Sequence, residues 1–331
     1  MHPSLNLPHL MRPLFVSVIL LFAAQAHADS SIEDLLQRMA STMRTVNYEG
    51  LLLHAQGQET RTVRIFHLYD PENGERERLL SQDGPAREIV HANDRCTCIW
   101  PRSKLVINRR TPTWRGHLSP ARFADTLRLA AFYEFSRGET ARVAGLSCQV
   151  VKLAPRDGFR HGYRLCIHEP SGMLLRLEIM DGERRLEMNQ FGILRLDPGL
   201  GEDVLRPVTD LEGFRVIDET TSPAEPYQPR WTAESLPPGY FLLLAAERSH
   251  PRNGSRLEHL VYTDGLNNVS VFIEASSDRP VRTKALTGAM RRVVRDVDGH
   301  RLTAIGEVPE AAMQMILDGL RPGDTSTSDT P

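Results

Sequence analysis

Lysine is almost missing from this chain: of 40 basic residues only Lys104, Lys152 and Lys284 are lysines, and the rest are arginines. Arginine suits two-point contact with phosphate or carboxylate, but a bias this broad reads first as the base composition of a GC-rich gene. A basic excess is missing too. The net charge is −2 over 331 residues, without the electrostatic footprint of a nucleic-acid binder. No stretch after residue 24 is apolar enough to span a bilayer. The marks of catalysis are also lacking: there is no phosphate-binding glycine loop, no dinucleotide fingerprint and no HExxH pair. Gly145-Leu146-Ser147-Cys148-Gln149 comes nearest to a nucleophile elbow, yet it lacks the second glycine and sits in a strand pattern. The 12 histidines are scattered. The sequence therefore predicts no catalytic residue, no cofactor and no enzyme.

Cysteine is scarce, at four. Cys96 and Cys98, with His91 nearby, hold positions i and i+2 on one strand face. Two ligands fall short of the four of a structural zinc site, so no metal is predicted. A bridge between residues two apart on a strand would be strained, which leaves both thiols free or paired elsewhere.

What is present begins with a leader. Arg12 precedes an apolar run over residues 14–24, and Ala26-His27-Ala28 forms a small-residue cleavage site before Asp29. The run is too short to cross a bilayer, and no cysteine follows the cleavage site to carry a lipid anchor. Residues 1–28 thus predict export to a compartment where disulfides form. With 40% hydrophobic and 25% charged residues, the remainder has room for two ordinary domains.

The most informative stretch is 141–191. Turn signals at 155–158, 169–172 and Asp181-Gly182 separate runs of strand length, and Asp-Gly is a strong hairpin signal. Met173, Leu175, Leu177 and Ile179 alternate with Arg176 and Glu178, the period of a sheet with one wet face. A two-residue turn at Asp181-Gly182 sets Leu177 opposite Leu186 and Leu175 opposite Met188. A three-residue loop at 156–158 sets Cys148 opposite Cys166, within disulfide range. The alternative is two independently buried thiols.

Along the rest of the chain, residues 30–46 predict an amphipathic helix with a capping box from Ser30 to Glu33. Strands follow near 48–55, 60–69, 76–81, 86–91, 95–100 and 104–108, then a second helix over 119–135. The predicted organisation is a large domain over 29–197, a connection over 198–229 with a short strand near 214–217, and a small α+β domain over 230–321. Its strands fall near 240–248, 259–263, 269–274, 290–297 and 300–306, and Pro309 opens a helix. Residues 322–331 read as a disordered tail. The small domain carries Arg279, Arg282, Lys284, Arg291, Arg292, Arg295 and Arg301. Arg282, Arg291, Arg292 and Arg295 are candidates for a patch meeting lipid phosphates or an acidic partner, against the plainer reading of a solvated strand face. A concave apolar sheet face can also hold an acyl chain.

Asn47-Tyr48-Glu49-Gly50, SQDGPAREIV (81–90), PRDGFRHGYRL (155–165), WTAESLPPGY (231–240), LVYTDGLNNVSVFIE (260–274) and IGEVPEAA (305–312) occur in that order. The arrangement resembles the RseB/MucB family, periplasmic negative regulators of the envelope-stress sigma factor, sigma-E. Each motif is weak singly; their order and spacing over nearly all of 29–321 carry the match. The resemblance implies an α+β fold: a large domain like the lipoprotein carriers LolA and LppX, an unclosed barrel of curled antiparallel sheet around helices, plus a smaller domain. It implies a partner, the periplasmic domain of an inner-membrane anti-sigma factor (RseA/MucA-like), shielded from the site-one protease until lipopolysaccharide or another acylated ligand relieves the shielding. Trp231, Tyr240, Tyr262, Asp264 and Gly265 match the small-domain motifs and are candidate partner-binding residues by that analogy. As residue types they read first as core and turn. Cys96 and Cys98 inherit no role. The expected location is the periplasm, a homo-oligomer is compatible with the sequence, and the alternative function is a periplasmic lipid or lipoprotein carrier.

Overall fold

Ser31 starts the first helix, α1 (Ile32–Thr45), by accepting a hydrogen bond from the Asp34 amide at 3.0 Å. Glu33 and Asp34 in its first turn and Arg44 in its last suit the helix dipole. The computed structural model describes residues 31–110, 120–220, 227–249, 254–276 and 287–323. The predicted leader, Ser30 with its predicted cap, Arg279, Arg282, Lys284 and residues 324–331 lie outside them. Leu35, Leu36, Met39 and Met43 form the apolar stripe of α1, and all are buried.

Six strands follow: β1 (Tyr48–Gln56), β2 (Glu59–Asp70), β3 (Gly74–Ser81), β4 (Glu88–Ala92), β5 (Arg95–Trp100) and β6 (Leu105–Arg110). After α2 (Thr126–Phe132) come β7 (Tyr133–Val143), β8 (Leu146–Pro155), β9 (Gly162–His168), β10 (Met173–Asp181) and β11 (Arg184–Leu196). Each set is an antiparallel meander, and the two join where β1 pairs with β11, Tyr48 opposite Leu196. β12 (Arg215–Glu219) adds to β6 in parallel. The resulting twelve-stranded sheet ends at β12 and β7, which do not pair, so the barrel is unclosed as predicted. One apolar cluster takes in the α1 stripe with Leu52, Ile65 and Leu79 from one meander and Val151, Leu165 and Leu177 from the other. The sheet therefore curves around the helix.

A second, separate apolar cluster lies beyond. β13 (Trp231–Ala233) leads to β14 (Phe241–Ser249), β15 (Arg256–Thr263), β16 (Asn268–Ala275), β17 (Arg291–Val297), β18 (His300–Gly306), α3 (Glu310–Gly319) and β19 (Leu320–Pro322). The five-stranded sheet runs β14-β15-β16-β18-β17, and β13 pairs with β19. Ala312, Met313, Ile316 and Leu317 of α3 join Leu260, Val271, Leu302 and Ala304 in its core. Pro309 is the N-cap residue, one position ahead of the predicted first turn.

Several local expectations are corrected. The predicted helix over 119–135 is a 3₁₀ turn at Pro120–Phe123 and a two-turn α2; from Tyr133 the chain is already strand, with Tyr133 opposite Pro155 and Phe135 opposite Leu153. Aromatic residues that pack on a sheet override the helical spacing. The loop between β8 and β9 spans 156–161 rather than 156–158, so Val150, not Cys148, lies opposite Cys166. A slip of two residues keeps the same face. Cys148 and Cys166 still meet, diagonally, in a disulfide with Cα atoms 5.4 Å apart.

The β10–β11 turn is Gly182-Glu183, with Gly182 at φ +57°. With a bulge after Ile179, Leu177 falls opposite Asn189 instead of Leu186. β10 also lacks the predicted wet face: a bulge after Leu174 lets both Leu174 and Leu175 enter the core. Residues 198–229 are likewise less free than a connection. Besides β12, the buried Glu88 accepts hydrogen bonds from the Val208 and Thr209 amides at 3.1 and 2.9 Å, and Arg78 donates to the Val204 carbonyl at 2.9 Å.

Candidate functional site

The turn after β15 carries Thr263-Asp264-Gly265-Leu266-Asn267 across to the large sheet. Asp264 closes it as such residues do, accepting from the Leu266 and Asn267 amides at 2.9 and 2.7 Å. Leu266 is thereby driven into the large core. Asn267 accepts from the Tyr163 hydroxyl at 2.6 Å, and Arg122 donates to the Leu266 carbonyl at 2.8 Å. The other Asp264 oxygen forms a buried ion pair with Arg160, 2.9 Å from Nε. Arg160 also pairs with Asp157, donates to the Pro238 carbonyl, and lies 4.2 and 5.2 Å from the ring centres of Phe132 and Tyr240. Burial raises the pKa of the Tyr163 and Tyr240 hydroxyls. Both remain protonated donors, Tyr240 to the Phe159 carbonyl at 3.2 Å.

A second clamp lies at the start of β17. The irregular β10–β11 register turns Glu187 inward, where its Oε1 accepts from the Ala289 amide and from Gln56, each at 2.8 Å. Gln56 also donates to the Thr287 carbonyl at 2.9 Å. A cleft of about 410 Å³ lies at this seam, lined by Arg122, Asn268, Ser270, Phe272, Met290 and Glu307 among others. Burial pushes the Glu307 carboxyl up from its ordinary value, Glu187 adds to that, and Arg122 and His54 oppose it. No group of three or more His, Cys, Asp or Glu among the described residues is placed to hold a metal ion. The seam is built to hold two sheets in register.

Beside the seam lies an apolar surface. Among the described residues β14 pairs only with β15, so its other edge offers unpaired backbone groups. Phe241, Leu242, Leu243 and Leu244 stand on it, each 38–40% exposed. The α2 residue Leu127 is 88% exposed, and its neighbour Arg128 donates to the Gly239 carbonyl at 2.9 Å and covers the Phe241 ring at 4.6 Å. This strip can take an extended peptide by strand addition, with alternate side chains meeting leucine.

The residues singled out in the sequence lie elsewhere. Trp231, Tyr240 and Tyr262 belong to the small core, Asp264 is in the seam, and Gly265 tops its turn at φ +93°. Of the four arginine candidates, Arg282 lies outside the described residues, and Arg291 and Arg295 share one face of β17. Arg291 donates to the Gly288 and Met290 carbonyls, Arg295 pairs with Asp318, and Arg292 alternates to the opposite strand face. Sequence reasoning passed over Arg160, Arg128 and the apolar edge. The continuous run Phe241–Ala246 marked a strand but carried no sign of which side would be uncovered.

Comparison with known proteins follows the same two cores. The family model for the MucB/RseB N-terminal domain matches residues 31–209, and that for the MucB/RseB C-terminal domain matches 225–321. The sigma factor AlgU regulatory protein MucB of Pseudomonas aeruginosa is 29% identical over 308 residues, 91% of this chain and 94% of that protein. The sigma-E factor regulatory protein RseB of Escherichia coli K12 is 25% identical over 309 residues, 92% of this chain and 95% of that one. The crystal structure of MucB in complex with MucA(peri) superposes with a TM-score of 0.69 at 26% identity, covering 88% of this chain and 99% of that one.

Proposed function

The chain belongs to the MucB/RseB family, and from that membership we propose that it is a periplasmic regulator which holds the periplasmic segment of an inner-membrane anti-sigma factor. Its partner would lie as an extended strand on the edge of β14, between Leu127 and the leucines at 242–244. The observation that carries this reading is that open apolar edge, set beside a seam that fixes α2 against β14. Backbone pairing along the edge would withhold the bound segment from a site-one protease, since a protease must itself take up the substrate as an extended chain. Release would follow from linkage: a lipid signal such as lipopolysaccharide that prefers the unbound protein weakens the partner by the factor that the partner weakens the lipid.

The test is protection. The mature protein is mixed with the periplasmic domain of its cognate anti-sigma factor, and cleavage by the site-one protease is timed with and without lipopolysaccharide. Slowed cleavage that lipopolysaccharide restores supports the reading; cleavage at an unchanged rate without lipid removes it. The lipid-carrier alternative has weaker support, because the α1 stripe fills the hollow of the large sheet with its own side chains.

A further inference from the structure

Cys96 and Cys98 lie on β5, away from β14 in sequence and in a different sheet, and nothing in the proposed function uses them. They occupy one face of β5, flanked by His91 and Ile89 on β4 and by Arg109 and Ile107 on β6. Their sulfur atoms are 3.4 Å apart. The chain has four cysteines, and the other two are joined to each other. Within one molecule, each of these thiols therefore has only the other as a partner. Bond formation requires the sulfurs to close by about 1.4 Å, to the usual disulfide length.

We infer that Cys96 and Cys98 form a dithiol site that exchanges with disulfides, cycling between two thiols and an internal disulfide across one residue of β5.

The chemistry is balanced by an external disulfide, RSSR. The Cys98 thiolate attacks one sulfur, forming Cys98–S–S–R and expelling RS⁻. Cys96 then loses its proton, its sulfur attacks Cys98 Sγ, and the second RS⁻ leaves. The protein is oxidised by two electrons and the disulfide is reduced to two thiols. Cys98 is suited to the first step: a hydrogen bond from Cys96 lowers its pKa, and Arg109 and Arg87 add to that. The Cys96 thiol is raised by the same hydrogen bond and by burial, so it enters as the proton-bearing partner. Arg87, an exposed residue lying over the Trp100 ring at 5.5 Å, also reaches the Cys98 sulfur. Cys96 and Cys98 are themselves buried, at 5% and 7% exposure, so the exposed Arg87 marks the side from which a small disulfide would have to reach the Cys98 sulfur.

Strand geometry also sets how firmly the bond would hold. Residues two apart on a strand are separated by about 6.6–6.8 Å between Cα atoms, at the far end of the range that a disulfide bridges. Cys148 and Cys166, at 5.4 Å, lie inside that range. The bond at β5 should therefore open under reductant that leaves the other intact. Closing it puckers β5 between β4 and β6, one strand in from the β6–β12 pair.

The experiment uses the mature full-length chain equilibrated in mixtures of oxidised and reduced glutathione, acid-quenched, alkylated and digested with trypsin. One peptide, residues 96–102, carries both thiols and neither of the other two. The expected result is a change from two alkyl groups to none, with a loss of two hydrogens, while the peptides of Cys148 and Cys166 stay linked throughout. In Cys96→Ser the same treatment should leave a glutathione adduct on Cys98, because the resolving thiol is gone. Two alkyl groups at every ratio would overturn the proposal, as would a lasting glutathione adduct on the unsubstituted protein. Opening of both disulfides at the same ratio would overturn the ranking of the two bonds.

Discussion

The guanidinium of Arg160 and the carboxylate of Asp264 face each other across the seam, 2.9 Å apart, with both side chains withdrawn from water. One comes from the loop between β8 and β9, the other from the turn after β15. A buried pair of this kind gains little over an apolar contact, but removing one member strands the other. Asp264→Asn keeps the turn's acceptor and deletes the charge. It should cost about 3–5 kcal/mol in urea unfolding. Arg160→Met combined with Asp264→Asn should cost less than the sum of the single changes, and strict additivity would mean that the pair is not coupled.

Gly239 makes a different demand at the same seam. It has φ +79°, and a Cβ there would come within 2.2 Å of the Phe132 ring. Gly239→Ala should destabilise by about 1–3 kcal/mol from overpacking, with the positive φ adding to it. Hydrogen exchange should locate the loosening at α2 and the start of β14, not in α3.

The disulfide closes a separation of 18 residues. Replacing both cysteines, Cys148→Ala with Cys166→Ala, should lower stability by about 3 kcal/mol, seen as a shift of the denaturant midpoint with folding retained.

Binding should fail where the edge is altered. Leu243 is the unpaired residue of a bulge, since Leu242 and Leu244 take consecutive partners on β15. Leu243→Lys therefore disturbs no cross-strand pair, and Leu127→Lys changes a residue that is mostly in solvent. Each should weaken the anti-sigma segment about tenfold, near 1.4 kcal/mol, while thermal unfolding moves within about 0.5 kcal/mol. Unchanged affinity in both would remove β14 from the proposed interface.

Acid should loosen the fold through histidines that burial holds below their ordinary value, His161 and His259 furthest and His91 in the same direction. Burial lowers His161 and His259 from 6.5 to about 4. Between those values the unfolded chain binds protons that the folded one refuses, so stability rises with pH across the window and falls on acidification. Glu307 acts with the opposite sign: its raised carboxyl favours the folded state below the ordinary value, and that contribution is lost as pH rises through the raised one. His259 stacks on Phe272 at 4.4 Å. His259→Phe should therefore flatten the slope of stability between pH 4 and 6.5 without emptying the space; a slope equal to wild type would exclude His259 from it.

Much of this architecture was legible in the chain. Apolar periodicity places α1, and turn residues divide the strands, because those signals are local and set by backbone chemistry. Registers were less legible. The Cys148–Cys166 pairing survives a misjudged loop because the error is an even number of residues, whereas Leu177 and Leu186 are not opposite because the bulge after Ile179 adds one residue to a turn shift of two. The seam was harder still. Arg160, Tyr163 and Asp264 have ordinary surroundings in sequence, and only the docking of two sheets makes them partners. The run over 241–244 looks the same in sequence whether a neighbouring strand covers it or not.

The pairing of Tyr48 with Leu196 also governs when the molecule can form. Either meander can assemble from neighbours as it emerges, but β1 waits for its second partner, β11, some 148 residues later. Contacts so distant in sequence are slow to close. During that wait the inner edge of β1 lies bare, so the newly made chain is most open to aggregation or proteolysis before residue 196 arrives, and is safest after it.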